Sequence, residues 1–122
     1  MVNKQDFLNA IYEDIEMVRG DTLAFNFQVQ GLGEEEPEAI NFRCSETYND
    51  APLFTASLGD GIILQDYDAV KDIRTYGVWI DPDKTAYMEI AIYYYDLAMG
   101  VNDDYITLMR GRLNLLYEVP RG

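Results

Sequence analysis

Between Leu23 and Gln30 the chain alternates strictly: Leu23, Phe25, Phe27 and Val29 are apolar, and Ala24, Asn26, Gln28 and Gln30 are small or polar. Successive side chains of an extended strand project to opposite faces, so this two-residue period gives one buried face and one wet face. A strand of this kind forces the rest of the chain to supply an apolar layer that covers it. Just upstream, Ile15, Met17 and Val18 lead into Arg19-Gly20-Asp21. Gly20 there can take the positive φ of a tight turn, so a hairpin or a strand-to-strand corner is expected.

Downstream, the same reasoning yields a series of short strands. Gly31 to Glu38, with two glycines, one proline and four glutamates, reads as a surface loop. Ile40 to Thr47 is expected to be a strand, Asn49 to Pro52 a turn, and Leu53 to Leu58 a strand. Gly59-Asp60-Gly61 then turns into the short apolar strand Ile62 to Leu64. Asp66 to Thr75 is polar and aperiodic and reads as a long loop with a helical turn. Tyr76 to Ile80 is a strand stopped by Asp81-Pro82-Asp83, where proline presets a turn. Ile90 to Leu97, apolar or aromatic on both faces, has the composition of a central strand. After a turn over Gly100 to Asp104, Tyr105 to Val119 is one long strand or a strand pair, bulged or broken near Arg110-Gly111-Arg112.

At the N-terminus, Phe7, Leu8 and Ile11 follow Asn3 at helical spacing, which predicts a short helix or an arm over residues 1–14, ahead of a β domain over 15–122. A chain of 122 residues is long enough for a single hydrophobic core. Seven or eight strands without a helical crossover predict an all-β sandwich with antiparallel pairing. Cys44 is the only cysteine, which rules out an internal disulfide, and it shares a strand face with Ile40 and Phe42, so a buried thiol is expected.

Charge narrows the function classes. Nine Lys and Arg against 22 Asp and Glu give a net charge of −13. Nucleic-acid affinity comes largely from cations that replace counterions, so no nucleic-acid partner is expected. An anionic membrane surface would repel the chain, and Ile90 to Tyr95 falls far short of the ~20 apolar residues of a membrane span, so no membrane partner is expected either. Met1 to Asp6 lacks the apolar core of a signal peptide, which predicts an intracellular site of synthesis. There is no histidine, which removes the usual base of a serine or cysteine nucleophile. No carboxylate pair stands out by spacing, so neither enzymatic activity nor a cofactor is expected. Asp60, Asp66, Asp68, Asp72, Asp81, Asp83 and Thr85 offer oxygen ligands but not the pattern of a calcium hand, so no metal site is expected.

The run Ile15-Glu16-Met17-Val18-Arg19-Gly20-Asp21-Thr22-Leu23-Ala24-Phe25-Asn26-Phe27, with Phe42-Arg43, Tyr94-Tyr95-Asp96-Leu97, Leu108-Met109-Arg110-Gly111-Arg112-Leu113 and Glu118-Val119-Pro120-Arg121, resembles a family of small phage and prophage proteins. Those are immunoglobulin-like β-sandwich domains of tail and baseplate components, including amino-terminal domains of some upper baseplate proteins. Pro120 stands where the family carries a threonine. The resemblance implies an immunoglobulin-like sandwich with a virion structural role, in the particle or in the bacterial cytoplasm before assembly. Other phage structural proteins, or further copies of the chain, would be its partners.

Tyrosine gives large contact area at low entropic cost, and the chain is rich in it. Tyr93 and Tyr95 share one strand face and Tyr94 the other, with Tyr105 and Tyr117 in neighbouring strand segments. Tyr93, Tyr95, Tyr105 and Tyr117 are therefore the candidate interaction surface. The alternative is that they fill the core with their hydroxyls at its rim. Two other function classes stand beside docking: an acidic inhibitor that imitates nucleic acid, and a carbohydrate-binding module that uses Trp79 or a tyrosine as a stacking platform.

Overall fold

The computed structural model describes residues 11–119, which are almost entirely β-structure. The strands are β1 (Ile11–Tyr12), β2 (Ile15–Val18), β3 (Leu23–Gln30), β4 (Ala39–Ser45), β5 (Phe54–Leu58), β6 (Gly61–Asp68), β7 (Ile73–Ile80), β8 (Ile92–Val101) and β9 (Asp104–Leu116), with one 3-10 turn at Pro82–Lys84. The helix expected from Phe7, Leu8 and Ile11 lies mostly outside the described residues; Ile11 itself is in a strand.

All strands belong to one mixed sheet ordered β1-β9-β8-β4-β5-β6-β7-β3, with β2 also on β9. The sheet curls on itself. Its inner faces meet where Phe25 of β3 stands edge-on to Phe42 of β4, with ring centroids 5.9 Å apart. Phe42 in turn stacks on Phe54 and Tyr95. The pairing is not antiparallel throughout, as sequence reasoning had it. β1 and β2 run parallel to β9, and β5 runs parallel to β6. A crossover helix is needed only between parallel strands close in sequence; β2 and β9 are separated by the whole domain, which serves as their connection. At β5/β6 two left-handed glycines, Gly59 (φ 89) and Gly61 (φ 97), wind the chain tightly enough to pair Ser57 with Gly61.

Alternation on β3 behaves as read: Leu23, Phe25, Phe27 and Val29 face the core and their neighbours face water. Among the described residues β3 pairs only with β7 and so forms a sheet edge. The turn at Arg19-Gly20-Asp21 is a corner, not a hairpin. It carries the chain from β2 at one end of the sheet to β3 at the other, with Gly20 at φ 79 and its N–H donating to the buried Thr85 hydroxyl at 3.0 Å. Ile40, Phe42 and Cys44 are all fully buried.

One segment differs from the sequence reading. Asp66 to Thr75 is not a loop: β6 runs to Asp68 and β7 starts at Ile73, with the Asp68 carboxylate accepting the Val70 and Lys71 N–H groups in the turn. A bulge at Gln65 shifts the register by one residue and erases the two-residue period on which the reading relied. β9 is one long strand, and the expected bulge falls at Leu108, where Leu97 pairs with Met109 but Ala98 with Thr107. Gly111 is required for a different reason: a Cβ would lie 2.0 Å from the Glu13 carbonyl oxygen, where the β1–β2 segment crosses.

Candidate functional site

Strand β8 decides the first candidate surface. Tyr93 and Tyr95 project inward with Leu97 and Met99, and Tyr94 and Asp96 project outward. Register then aligns the outward residues into rows. Arg43, Asp96, Arg110 and Tyr12 sit side by side across β4, β8, β9 and β1; Ser45, Tyr94 and Arg112 form the next row. This face thus holds three of the nine cationic residues of a chain whose net charge is −13.

Its side chains are interlocked. Arg43 makes a two-pronged bond to Asp96 at 3.0 and 2.9 Å, and Arg112 binds Asp14 at 2.8 Å. The Arg112 side chain, and then its backbone N–H, hold the Asp14 carboxyl below the usual range. From the β4–β5 loop Tyr48 reaches across, donating its hydroxyl to the Gly111 carbonyl at 3.1 Å and packing on Tyr94 with centroids 4.8 Å apart. The Arg110 guanidinium lies 4.3 Å from the centroid of the Tyr48 ring. Burial, and then the neighbouring Tyr12 hydroxyl, raise the Tyr48 phenol above its ordinary pKa. Tyr12 remains exposed at the rim.

The four tyrosines expected to form a surface separate. Tyr93 and Tyr95 are core residues, 6% and 1% exposed, which corrects their assignment to an interface. Their hydroxyls donate to the Glu89 carbonyl at 2.6 Å and the Glu13 carbonyl at 2.5 Å, so each buried phenol is satisfied. Tyr105 is exposed, accepts a bond from the Asn41 amide at 3.0 Å, and extends the β4–β8–β9 outer face beyond the arginines. Tyr117 is also exposed and sits beside Arg19. Tyr12, Tyr48, Tyr94, Arg43, Arg110 and Arg112 escaped the sequence reading. The signal for Tyr94 was present: Tyr93 and Tyr95 share their parity with Leu97 and Met99, which marks the inward face, so Tyr94 had to be the outward tyrosine.

A second surface lies on the opposite side of the molecule, on the outer face of β3, β7 and β6. There a groove of about 530 Å³ is lined by Ala24, Asn26, Ile63, Gln65, Gly77 and Trp79, among others. Trp79 is 56% exposed and its indole N–H donates to Asp81 at 2.8 Å, which fixes the ring. Strand parity buries Val78 and Ile80 on the inner face and turns Trp79 between them outward. Gly77 forms the floor, overlain by the bulged Gln65, whose amide occupies the space a Cβ would need.

The remaining candidates have structural work. Arg19 of the Arg19-Gly20-Asp21 turn is bonded to Glu118 and the Met88 carbonyl, and is not displayed as a free ligand. Asp72 accepts the Gly33 N–H, and Arg74, stacked on Tyr67, donates to the Gly33 carbonyl; together they pin the acidic loop. Among the described residues no group of three or more Cys, Asp or Glu gathers as a metal site. No described helix is long and apolar enough to cross a membrane. No protein-family model and no curated protein matches the chain.

Proposed function

We propose that this protein is a non-enzymatic structural component of a phage or prophage tail or baseplate, and that it docks on its assembly through the outer face of β4, β8 and β9. The observation that carries this reading is the concentration of Arg43, Arg110 and Arg112 with Tyr12, Tyr48, Tyr94 and Tyr105 on one face of a strongly acidic chain. Tyrosine and arginine are the side chains most enriched at protein interfaces and their hot spots, and here they are held in place before any partner arrives. The order of motifs along the chain supports the virion context. In the same proposal, the curled sheet is an immunoglobulin-like sandwich whose two layers are joined at the β5–β6 corner. The partners are other particle proteins or further copies of the chain, met in the cytoplasm and retained in the virion.

The acidic-inhibitor reading fits less well, because a nucleic-acid mimic gains nothing from a face where arginines interrupt the carboxylates. The test is to purify particles from a host that carries the gene and to look for the chain by mass spectrometry in the tail fraction. The double variant Tyr48→Ala/Arg110→Ala should still fold, as judged by circular dichroism, and should be lost from the tail fraction about ten-fold or more. A wild-type chain absent from particles would sink the proposal.

A further inference from the structure

We infer that the groove beside Trp79 is a docking site for an arginine- or lysine-bearing segment of a basic partner protein. The groove lies on the face opposite the tyrosine and arginine cluster, and the inference does not depend on the reading of that cluster.

An exposed tryptophan that is locked in one orientation is the first reason. Its N–H is tied to Asp81, so the ring loses no further freedom when a ligand stacks on it. The second reason is the shape of the floor. The residue beside Gly77 on β6 is Ile63, 57% exposed, and the residue beside it on β3 is Asn26. Ala24 pairs with Trp79, and the Gln65 amide covers Gly77, which leaves a shallow channel along Ile63, Ala24 and the indole bordered by the Asn26 and Gln65 amides.

Charge selects the occupant. The described lining residues are all uncharged, but two carboxylates share their face: Asp81 holds the indole, and Asp66 pairs with Thr75, which has the same outward parity on β7 as Gly77 and Trp79. With a net charge of −13, the molecule attracts cationic partners at long range and repels anionic ones. A long basic side chain matches every part of the site. Its methylene stem covers Ile63 and Ala24, its cation lies over the indole, and its N–H groups reach the second Asp81 oxygen and the amide carbonyls. A neutral saccharide would also stack on the ring and donate its hydroxyls to the amides and carboxylates, but would gain nothing from the net negative charge.

Trp79 is the only tryptophan, so its fluorescence reports on this groove alone. The probe is a capped pentapeptide, glycine-arginine-isoleucine-arginine-glycine, titrated to millimolar concentration against the same peptide with citrulline in place of arginine. Citrulline keeps the shape and most donors and removes the charge. The arginine peptide should shift the emission saturably, more weakly as salt is raised, and the citrulline peptide should bind about ten-fold less well. By calorimetry, Trp79→Ala and Asp81→Asn should each weaken the arginine peptide several-fold while the far-ultraviolet dichroism stays unchanged. Equal binding of the two peptides would overturn the inference. So would an unaffected Trp79→Ala variant, no shift with the arginine peptide, or a response to cellohexaose in its place.

Discussion

Cys44, Tyr95 and Gly111 form one row across β4, β8 and β9, and each is there for a physical reason that its neighbours supply. Burial pushes the Cys44 thiol up to about 12 and raises the Tyr95 phenol, with Glu13 and Asp14 nearby adding to the latter. Both groups are neutral in the folded chain and ionise more readily when it unfolds. Their contribution to stability is therefore intact below the unfolded value, about 9 for the thiol and 10 for the phenol, and is lost as pH rises toward the folded values. Urea midpoints measured from about pH 8 to about pH 11 should fall above about pH 9, each group adding up to about 1.4 kcal/mol per pH unit once past its unfolded pKa. Tyr95→Phe should cost about 1 kcal/mol at neutral pH, from the lost bond to the Glu13 carbonyl, and should flatten the alkaline decline. Parallel curves for wild type and Tyr95→Phe would contradict this account. The Cys44 environment was legible from the shared parity of Ile40, Phe42 and Cys44; the Tyr95 hydrogen bond was not, because its acceptor is 82 residues away.

Among the elements, the N-terminal strands depend most on a single position. The β1–β2 segment breaks at Glu13 and Asp14, where the Asp14 carboxylate accepts the Arg112 N–H and the Glu13 N–H donates to the Arg110 carbonyl. The Glu13 carbonyl settles where Gly111 has no side chain. Gly111→Ala places a methyl group against backbone, which cannot move as a flexible side chain does, and should cost about 1–3 kcal/mol or more. Hydrogen exchange should show β1 and β2 losing protection on β9 while β3 and β7 keep theirs; uniform loss across the sheet, or none, would refute this role. Residue chemistry announced a special glycine in the last strand but not its purpose, since a bulge and a crossing strand both call for glycine. The β6–β7 hairpin was missed for a related reason. Its outward positions carry Asp66, Thr75 and Asp68, and the Gln65 bulge swaps the faces midway, so no two-residue period survives to be read.

For the molecule as a whole, the excess of 13 negative charges opposes compaction. Among the described residues three surface ion pairs, Arg19–Glu118, Arg43–Asp96 and Arg112–Asp14, oppose that repulsion, but exposed pairs are typically worth less than about 1 kcal/mol each. Screening the many repulsions should therefore outweigh weakening the few attractions, and the thermal midpoint should rise by a few degrees from low to physiological salt. A midpoint that falls with salt would show that the pairs dominate. On its own, the sequence determined the all-β class, the inward faces of β3 and β4, the buried thiol and the acidic surface, because side-chain parity and net charge are local or additive properties. Tertiary structure alone decided which strands adjoin, the parallel pairing of β1 and β2 with β9, the gathering of Arg43, Arg110 and Arg112 with the tyrosines, and the exposure of Trp79. Those depend on register between residues far apart in the chain, and register is fixed only when the sheet curls and both of its faces find their environment.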